Sequence, residues 1–251
     1  LEPWRRPGAP MTPTPSSGGD GPMVVAIDGP SGVGKSTCAR LLAEQLGLPV
    51  LDTGAMYRAV ALAMVQRGVD PTDGAAVERE LGDVQVELRA DGRGGLEVWL
   101  DGEPVGDRIR APEVTEASSK VSVHPAVRRR MVAYQRQGAS VHGAVVEGRD
   151  IGSVVFPDTP FKFFLGADPE VRTQRRFRQL AETGRGVDRA RVRADLELRD
   201  ARDRDRVESP LVCDDTYHFI DTSGLESSEV VAEMARAVAA RRAAERASGS
   251  G

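Results

Sequence analysis

One short run restricts the fold of this chain more than any other: Gly29-Pro30-Ser31-Gly32-Val33-Gly34-Lys35-Ser36, followed by Thr37. It fits G-x-x-x-x-G-K-[ST], a loop that wraps phosphate between a strand and a helix. The flanks agree with that reading. Residues 23–28 form an apolar, strand-like run, and residues 36–46 place Cys38, Leu41, Leu42 and Leu46 on one helical face before Gly47. Glycines let the backbone turn tightly with its N–H groups pointing inward, and the helix end adds partial positive charge. Lys35 can reach the β- and γ-phosphates, and the Ser36 hydroxyl can ligate Mg²⁺. The nine residues 29–37 are therefore the candidate nucleoside-triphosphate site.

The rest of the chain extends this strand–loop–helix unit. Residues 49–52 read as a second strand and 55–67 as a helix stopped by Gly68. The period then changes to two. Val84, Val86 and Leu88 alternate with polar residues, as do Leu96, Val98 and Leu100, with a Gly-rich turn at 91–95 and a third short strand at 104–105. An antiparallel insertion over about 82–108 is expected. Helices follow at 112–123 and 125–137, buried strands at 144–147 and 161–167, and a charged helical region at 169–208 broken near 184–186. A strand at 217–221 and a helix at 227–245 close the pattern. Alternating strands and helices imply a parallel sheet covered on both faces, an α/β fold of the P-loop NTPase kind. Residues 1–22 are dense in Pro, Gly, Ser and Thr and are expected to be a disordered tail. Residues 241–251 are expected to fray, leaving 23–240 as the folded domain.

Composition removes several alternatives. The 251-residue chain has a formal net charge of −4, which argues against a general nucleic-acid binder. It has no apolar run long enough to span a bilayer. Two cysteines (Cys38, Cys213) and three single histidines (His124, His142, His218) give neither a disulfide framework nor a zinc site. All but three of the 34 basic residues are arginine, a bias that a GC-rich genome also produces. There is no asparagine, so the Asn-Lys-x-Asp guanine motif of GTPase switches cannot exist. The Asp-x-x-Gly match at 91–94 falls in the hairpin turn, far from the loop.

Four further motifs identify a family. Asp52-Thr53-Gly54-Ala55-Met56-Tyr57-Arg58 follows the second strand, and Ala117-Ser118-Ser119-Lys120-Val121 precedes Arg128. Glu147-Gly148-Arg149-Asp150-Ile151-Gly152 runs on into Val154-Val155-Phe156-Pro157-Asp158. Arg199-Asp200-x-x-Asp203-Arg204-x-Arg206 leads to Ser209-Pro210-Leu211. In that order, over about residues 23–240, the chain resembles bacterial cytidylate kinases, nucleoside-monophosphate kinases with an extra small β-sheet domain. The resemblance implies transfer of the ATP γ-phosphate to CMP or dCMP, with Mg²⁺, by a cytoplasmic monomer of pyrimidine metabolism that binds no nucleic-acid polymer and no membrane.

The same resemblance assigns residues. Arg58, Arg149 and Arg206 would bind the CMP phosphate and, with Lys35, act in catalysis. Thr53 would stand near the base, Arg128 and Asp150 would read cytosine, and Ser119, Arg199 and Asp203 would hold the sugar. From spacing alone, Arg199, Asp203 and Arg206 fall at i, i+4 and i+7 and read equally well as a salt-bridge ladder within one helix. Residues 172–206 hold 12 arginines against seven acids, which fits either a solvated helix pair or a lid over about 172–190 that closes arginines on the γ-phosphate. Arg172, Arg175 and Arg176 are its candidates. Glu147 stands nearest the place of a second metal-side acid, so Mg²⁺ is expected on Ser36, phosphates and water.

Overall fold

In the computed structural model the described residues are 22–91, 95–182 and 188–248. The expected disordered tail therefore lies, save for Pro22, outside the described residues, as do the centre of the 91–95 turn and the middle of the lid. Five strands form one parallel sheet: β1 (Val24–Asp28), β2 (Val50–Asp52), β6 (Ala144–Glu147), β7 (Phe161–Gly166) and β8 (His218–Asp221). Their order is β2-β6-β1-β7-β8, so β1 lies in the middle between β6 and β7.

Strand alternation sends neighbouring side chains to opposite faces of this sheet. Val25 and Ile27 join Val145, Phe163 and Leu165 under α1 (Lys35–Leu46) and α8 (Ser227–Ser248), with Leu42 and Met234 fully covered. Ala26, Leu51 and Val146 face the other way, toward α2 (Thr53–Gln66), α4 (Pro112–Val121) and α5 (Pro125–Ala139). Both faces are covered, as the mainly apolar, largely buried runs AVVE and FKFFLG require.

The period-two region forms an antiparallel sheet of β3 (Val86–Ala90), β4 (Leu96–Leu100) and β5 (Glu103–Pro104). Its inward residues Val86, Val98 and Leu100 belong to the same apolar cluster as α2 and α4. The insertion is thus a flap built onto the main core, with no separate core of its own.

Two elements depart from expectation. Helix α3 (Gly74–Leu81) was not anticipated; Asp73 caps it by accepting from Ala76 N, and only Val77 and Leu81 are buried. Two buried residues over eight leave too weak a period to read. At the other end α8 runs on as helix to Ser248, past the boundary at 241 expected for the tail. The sequence there is Ala-, Arg- and Glu-rich, and Arg241 pairs with Glu245 one turn on.

The charged region folds as α6 (Pro169–Ala181) and α7 (Arg189–Asp205), packed against each other. Asp168 caps α6 and Asp188 caps α7. Every motif named above except the α4 serines and the α7 arginines begins at the C-terminal edge of a core strand, where open α/β sheets hold their ligands.

Candidate active site

Loop 29–34 leaves β1 and delivers the chain to α1. Gly29 has φ +145°, and a Cβ there would lie 2.2 Å from the Leu165 carbonyl oxygen, so no side chain fits between loop and β7. Gly34 is left-handed (φ +95°) and offers no side chain to cap α1. The first amides of α1 are left for an external anion. Lys35 is buried and donates to the Pro30 carbonyl at 2.7 Å. Burial first, then the Arg149 and Arg199 charges, pull its pKa down to about 7 against the opposing Glu147 and Asp203. A phosphate at this point restores the ammonium charge.

The loop opens onto a cavity of about 710 Å³, lined by Lys35, Ser36, Arg58, Ser119, Arg128, Arg149, Asp150, Arg176, Arg199, Asp203 and Arg206, among others. Residues from five separate motifs therefore meet around one space. Helix α2 starts at Asp52, whose carboxylate caps it through Ala55 N (2.9 Å) and pairs with Arg58 (2.9 Å). Thr53 also lines the cavity, but its hydroxyl donates to the Glu147 carbonyl at 2.7 Å, tying α2 to β6. Ser119 is buried on α4 and receives a long contact from Arg202 at 3.4 Å.

On the far side, arginines and carboxylates interlock. Arg128 forms a short ion pair with Asp150, their side chains 3% and 6% exposed. Arg149 Nε donates to Asp203 at 2.8 Å, and Arg206 lies 3.7 Å from Asp150 and 3.6 Å from Asp203. Burial would raise the Asp203 carboxyl, but Arg149, Arg206 and Arg199 together hold it below the usual range. Arg206 ends α7 with extended backbone and still pairs with Asp203, but Arg199 makes no ion pair with it among the described residues, and the shorter bond of Asp203 reaches across 54 residues to Arg149, so the ladder is only half formed. Arg128 Nε and Arg206 Nη2 are buried without a hydrogen-bond acceptor among the described residues. Such donors are what a polar ligand satisfies.

Other cations face the cavity with no carboxylate partner. Among the described residues Arg199 and Arg176 make no ion pair. Burial and the neighbouring Arg149 charge lower Arg199 to about 10, and burial and Arg58 lower Arg176. Like charge sets Arg199 against Arg149, Arg58 and Arg176.

The lid candidates separate. Arg172 is buried, pairs with Asp200 at 2.5 Å and donates to the Ser31 carbonyl, so it braces the loop from behind and does not line the cavity. Arg175 lines the cavity while bound to Thr222 (3.1 Å to Oγ1, 2.7 Å to O). Among the described residues Arg176 hydrogen-bonds only within its own helix, to Gln179 at 2.7 Å, and is the candidate left to reach a phosphate.

Sequence reasoning missed the wall formed by Thr222, Leu225, Glu226, Ser227 and Val230. No motif marks it; the strand order puts the end of β8 two strands from the loop. It also missed that Asp52 pairs with Arg58 and that Tyr57 lines the cavity, although both lie inside the Asp52–Arg58 motif.

Divalent metal fits the donors present. Ser36 is exposed at the loop near the buried Glu147, whose carboxyl is raised by burial and the Asp52 charge against the opposing pull of Lys35 and Ser36. No cluster of three or more His, Cys, Asp or Glu suited to a metal exists among the described residues. One hydroxyl backed by acids matches a hard cation that keeps its own waters and phosphate ligands.

Comparison with known proteins agrees with this geometry. The family model described as Cytidylate kinase matches residues 25–240. A cytidylate kinase of Pelotomaculum thermopropionicum is 46% identical over 218 residues, 87% of this chain and 96% of the relative. That of Mycobacterium leprae is 47% identical over 213 residues, covering 84% and 93%, and that of Corynebacterium glutamicum 46% over 221 residues, covering 88% and 96%. With a family match over most of its length and relatives well above 30% identity, the chain belongs to the cytidylate kinase family.

Proposed function

We propose that this protein transfers the γ-phosphate of ATP to CMP or dCMP, giving ADP and CDP or dCDP. One observation supports this reading above the others: five motifs converge on one cavity in which cations with no ion-pair partner among the described residues (Lys35, Arg176) adjoin a buried Arg128–Asp150 pair. The first group calls for a polyanion, the second for a polar base.

The nucleophile is an oxygen of the CMP phosphate, largely ionised near pH 7 because its second pKa is about 6. It attacks the γ-phosphorus, the bond to the bridging β–γ oxygen breaks, and ADP leaves. No general base is needed. Catalysis comes from alignment and from stabilising charge on the phosphoryl group in flight. Lys35 and the amides of residues 32–37 hold the donor. Arg58, Arg149 and Arg206 hold the acceptor phosphate, and Arg176 closes from α6. Ser119, Arg199 and Asp203 hold the sugar. Ser36 would hold Mg²⁺, which when bound would supply charge neutralisation on the polyphosphate. Asp150 accepts from the cytosine amine, where uracil has a carbonyl oxygen, and Arg128 donates toward the ring carbonyl.

All of these residues come from one chain, which supports action as a monomer, and the substrates belong to pyrimidine nucleotide supply in the cytoplasm. The direct test is ADP release with Mg-ATP against a panel of nucleoside monophosphates. Turnover with CMP and dCMP is expected; turnover confined to adenylate, guanylate or thymidylate would sink the reading.

A further inference from the structure

Asp28, the last residue of β1, is fully buried and belongs to no catalytic motif. It does not line the cavity, and among the described residues it has no ion-pair partner. Its carboxylate accepts from Ile151 N at 2.9 Å, from Gly152 N at 2.8 Å and from the Tyr217 hydroxyl at 2.8 Å. Burial pushes its pKa up to about 6, so above that pH a charged carboxylate holds all three donors.

The two backbone donors open a π-helical turn, Ile151–Val155, that directly follows Arg149 and Asp150. The turn's other end is fixed by Arg136, which donates to the Val155 carbonyl at 2.9 Å and the Val154 carbonyl at 3.0 Å. On the near side, Gly148 N donates to the Ile27 carbonyl at 2.9 Å. The arm bearing Arg149 and Asp150 is therefore pinned before and behind to the last two residues of β1. Those same residues lead into Gly29 and the phosphate loop. Tyr217 completes the clamp. A Cβ on Gly152 would lie 2.8 Å from its hydroxyl, so glycine there is what lets the phenol seat against the turn. The Tyr217 ring is held edge-on by Phe164 at 5.9 Å.

We infer that Asp28, backed by Tyr217, is a positioning residue that sets Arg149 and Asp150 in register with the phosphate loop. This rests on the reading of Arg149 and Asp150 as acceptor contacts. An asparagine at 28 offers one acceptor oxygen where the carboxylate offers two, so it loses one of the two backbone amides and frees the arm. The phosphate loop keeps its own backbone.

The test is steady-state kinetics of the full chain with Mg-ATP, CMP and UMP, beside melting temperature, for wild type, Asp28→Asn and Tyr217→Phe. Misplacing a binding group by about 1 Å costs on the order of 100-fold, and that loss in kcat/KM for CMP is expected of Asp28→Asn. The preference for CMP over UMP should narrow, while KM for ATP stays within about twofold. Tyr217→Phe removes one hydrogen bond to a charged group and should act in the same direction by about tenfold. A lowered melting temperature with unchanged CMP kinetics and preference would make the clamp purely structural and overturn the inference. So would a loss seen mainly in KM for ATP. If Asp28→Asn does not fold, Tyr217→Phe decides, and wild-type kinetics in that variant overturn it. Failure of the wild type to use CMP would instead overturn the functional reading.

Discussion

The two halves of the cavity solve the problem of charge in opposite ways. On the donor half, Lys35 and Arg176 line the cavity with no ion-pair partner among the described residues, and each is pulled toward losing its proton. Backbone amides at the start of α1 do the rest. On the acceptor half, each arginine placed at the phosphate or the base already has a carboxylate: Arg58 has Asp52, Arg128 has Asp150, Arg149 has Asp203, and Arg206 has both Asp150 and Asp203, while Arg199 at the sugar makes no ion pair among the described residues. A half built of unpaired cations and backbone binds any polyphosphate and stores repulsion until it does. A half built of ion pairs has most of its charge compensated before binding, so a ligand must match particular donors and acceptors to displace or extend them. The difference places affinity for phosphate on one side and choice of base on the other.

Removal of a donor cation gives the largest effect. Lys35→Ala should lower turnover by about 10³-fold for CMP and UMP alike, since it removes charge from the shared phosphoryl group. Its melting temperature should hold or rise, because a buried, half-discharged ammonium goes with it. Near-native turnover in a folded variant would remove Lys35 from the mechanism.

The acceptor half should respond in stability instead. Asp150→Ala leaves Arg128 and Arg206 buried without that carboxylate, at a cost of about 3–5 kcal/mol, or on the order of 10 °C in Tm. If calorimetry gives a loss no larger than that of Lys35→Ala, the contrast between the halves is wrong. Arg58→Ala is milder. Its pair with Asp52 is partly exposed, so stability should change by at most about 1 kcal/mol. Its kcat/KM should fall about tenfold for CMP and for UMP, through the phosphate they share.

The smallest effect is a fraction of a proton. Lys35 titrates near 7 in the free protein and far higher once phosphate sits beside it. ATP binding at pH 8 should therefore take up protons. A lowered lysine pKa also means that folding releases protons between pH about 7 and 10.5, so ligand-free stability gains from Lys35 as pH rises through that window. Calorimetry in buffers of different ionisation enthalpy reads the uptake; none at pH 8 would place a charged Lys35 in the free site.

Much of this was legible in sequence because the chemistry sits at strand ends, where local pattern and motif coincide. The phosphate loop announces itself between β1 and α1, and Glu147-Gly-Arg-Asp follows four buried residues. What was not legible depends on partners distant in the chain. Arg172 reads as a lid arginine until Asp200 and the Ser31 carbonyl are found around it. Thr53 reads as a base contact until its hydroxyl is found on Glu147, 94 residues on. Arg199, Asp203 and Arg206 share a helical spacing, but only the fold shows Asp203 turning to Arg149. Helix α3 escaped because a glycine opens it and only two of its side chains are buried.

The claim at the centre of this account is that the Arg128–Asp150 pair selects the base. It is tested most directly by kcat/KM for CMP and for UMP, each measured with wild type and with Asp150→Ala. Sites that match hydrogen bonds can discriminate by up to about 10⁴-fold, because the wrong ligand leaves buried polar groups unpaired. The account predicts that Asp150→Ala loses far more with CMP than with UMP, closing the gap between them. Equal losses with the two substrates would contradict it and leave Asp150 as a partner for Arg128 alone.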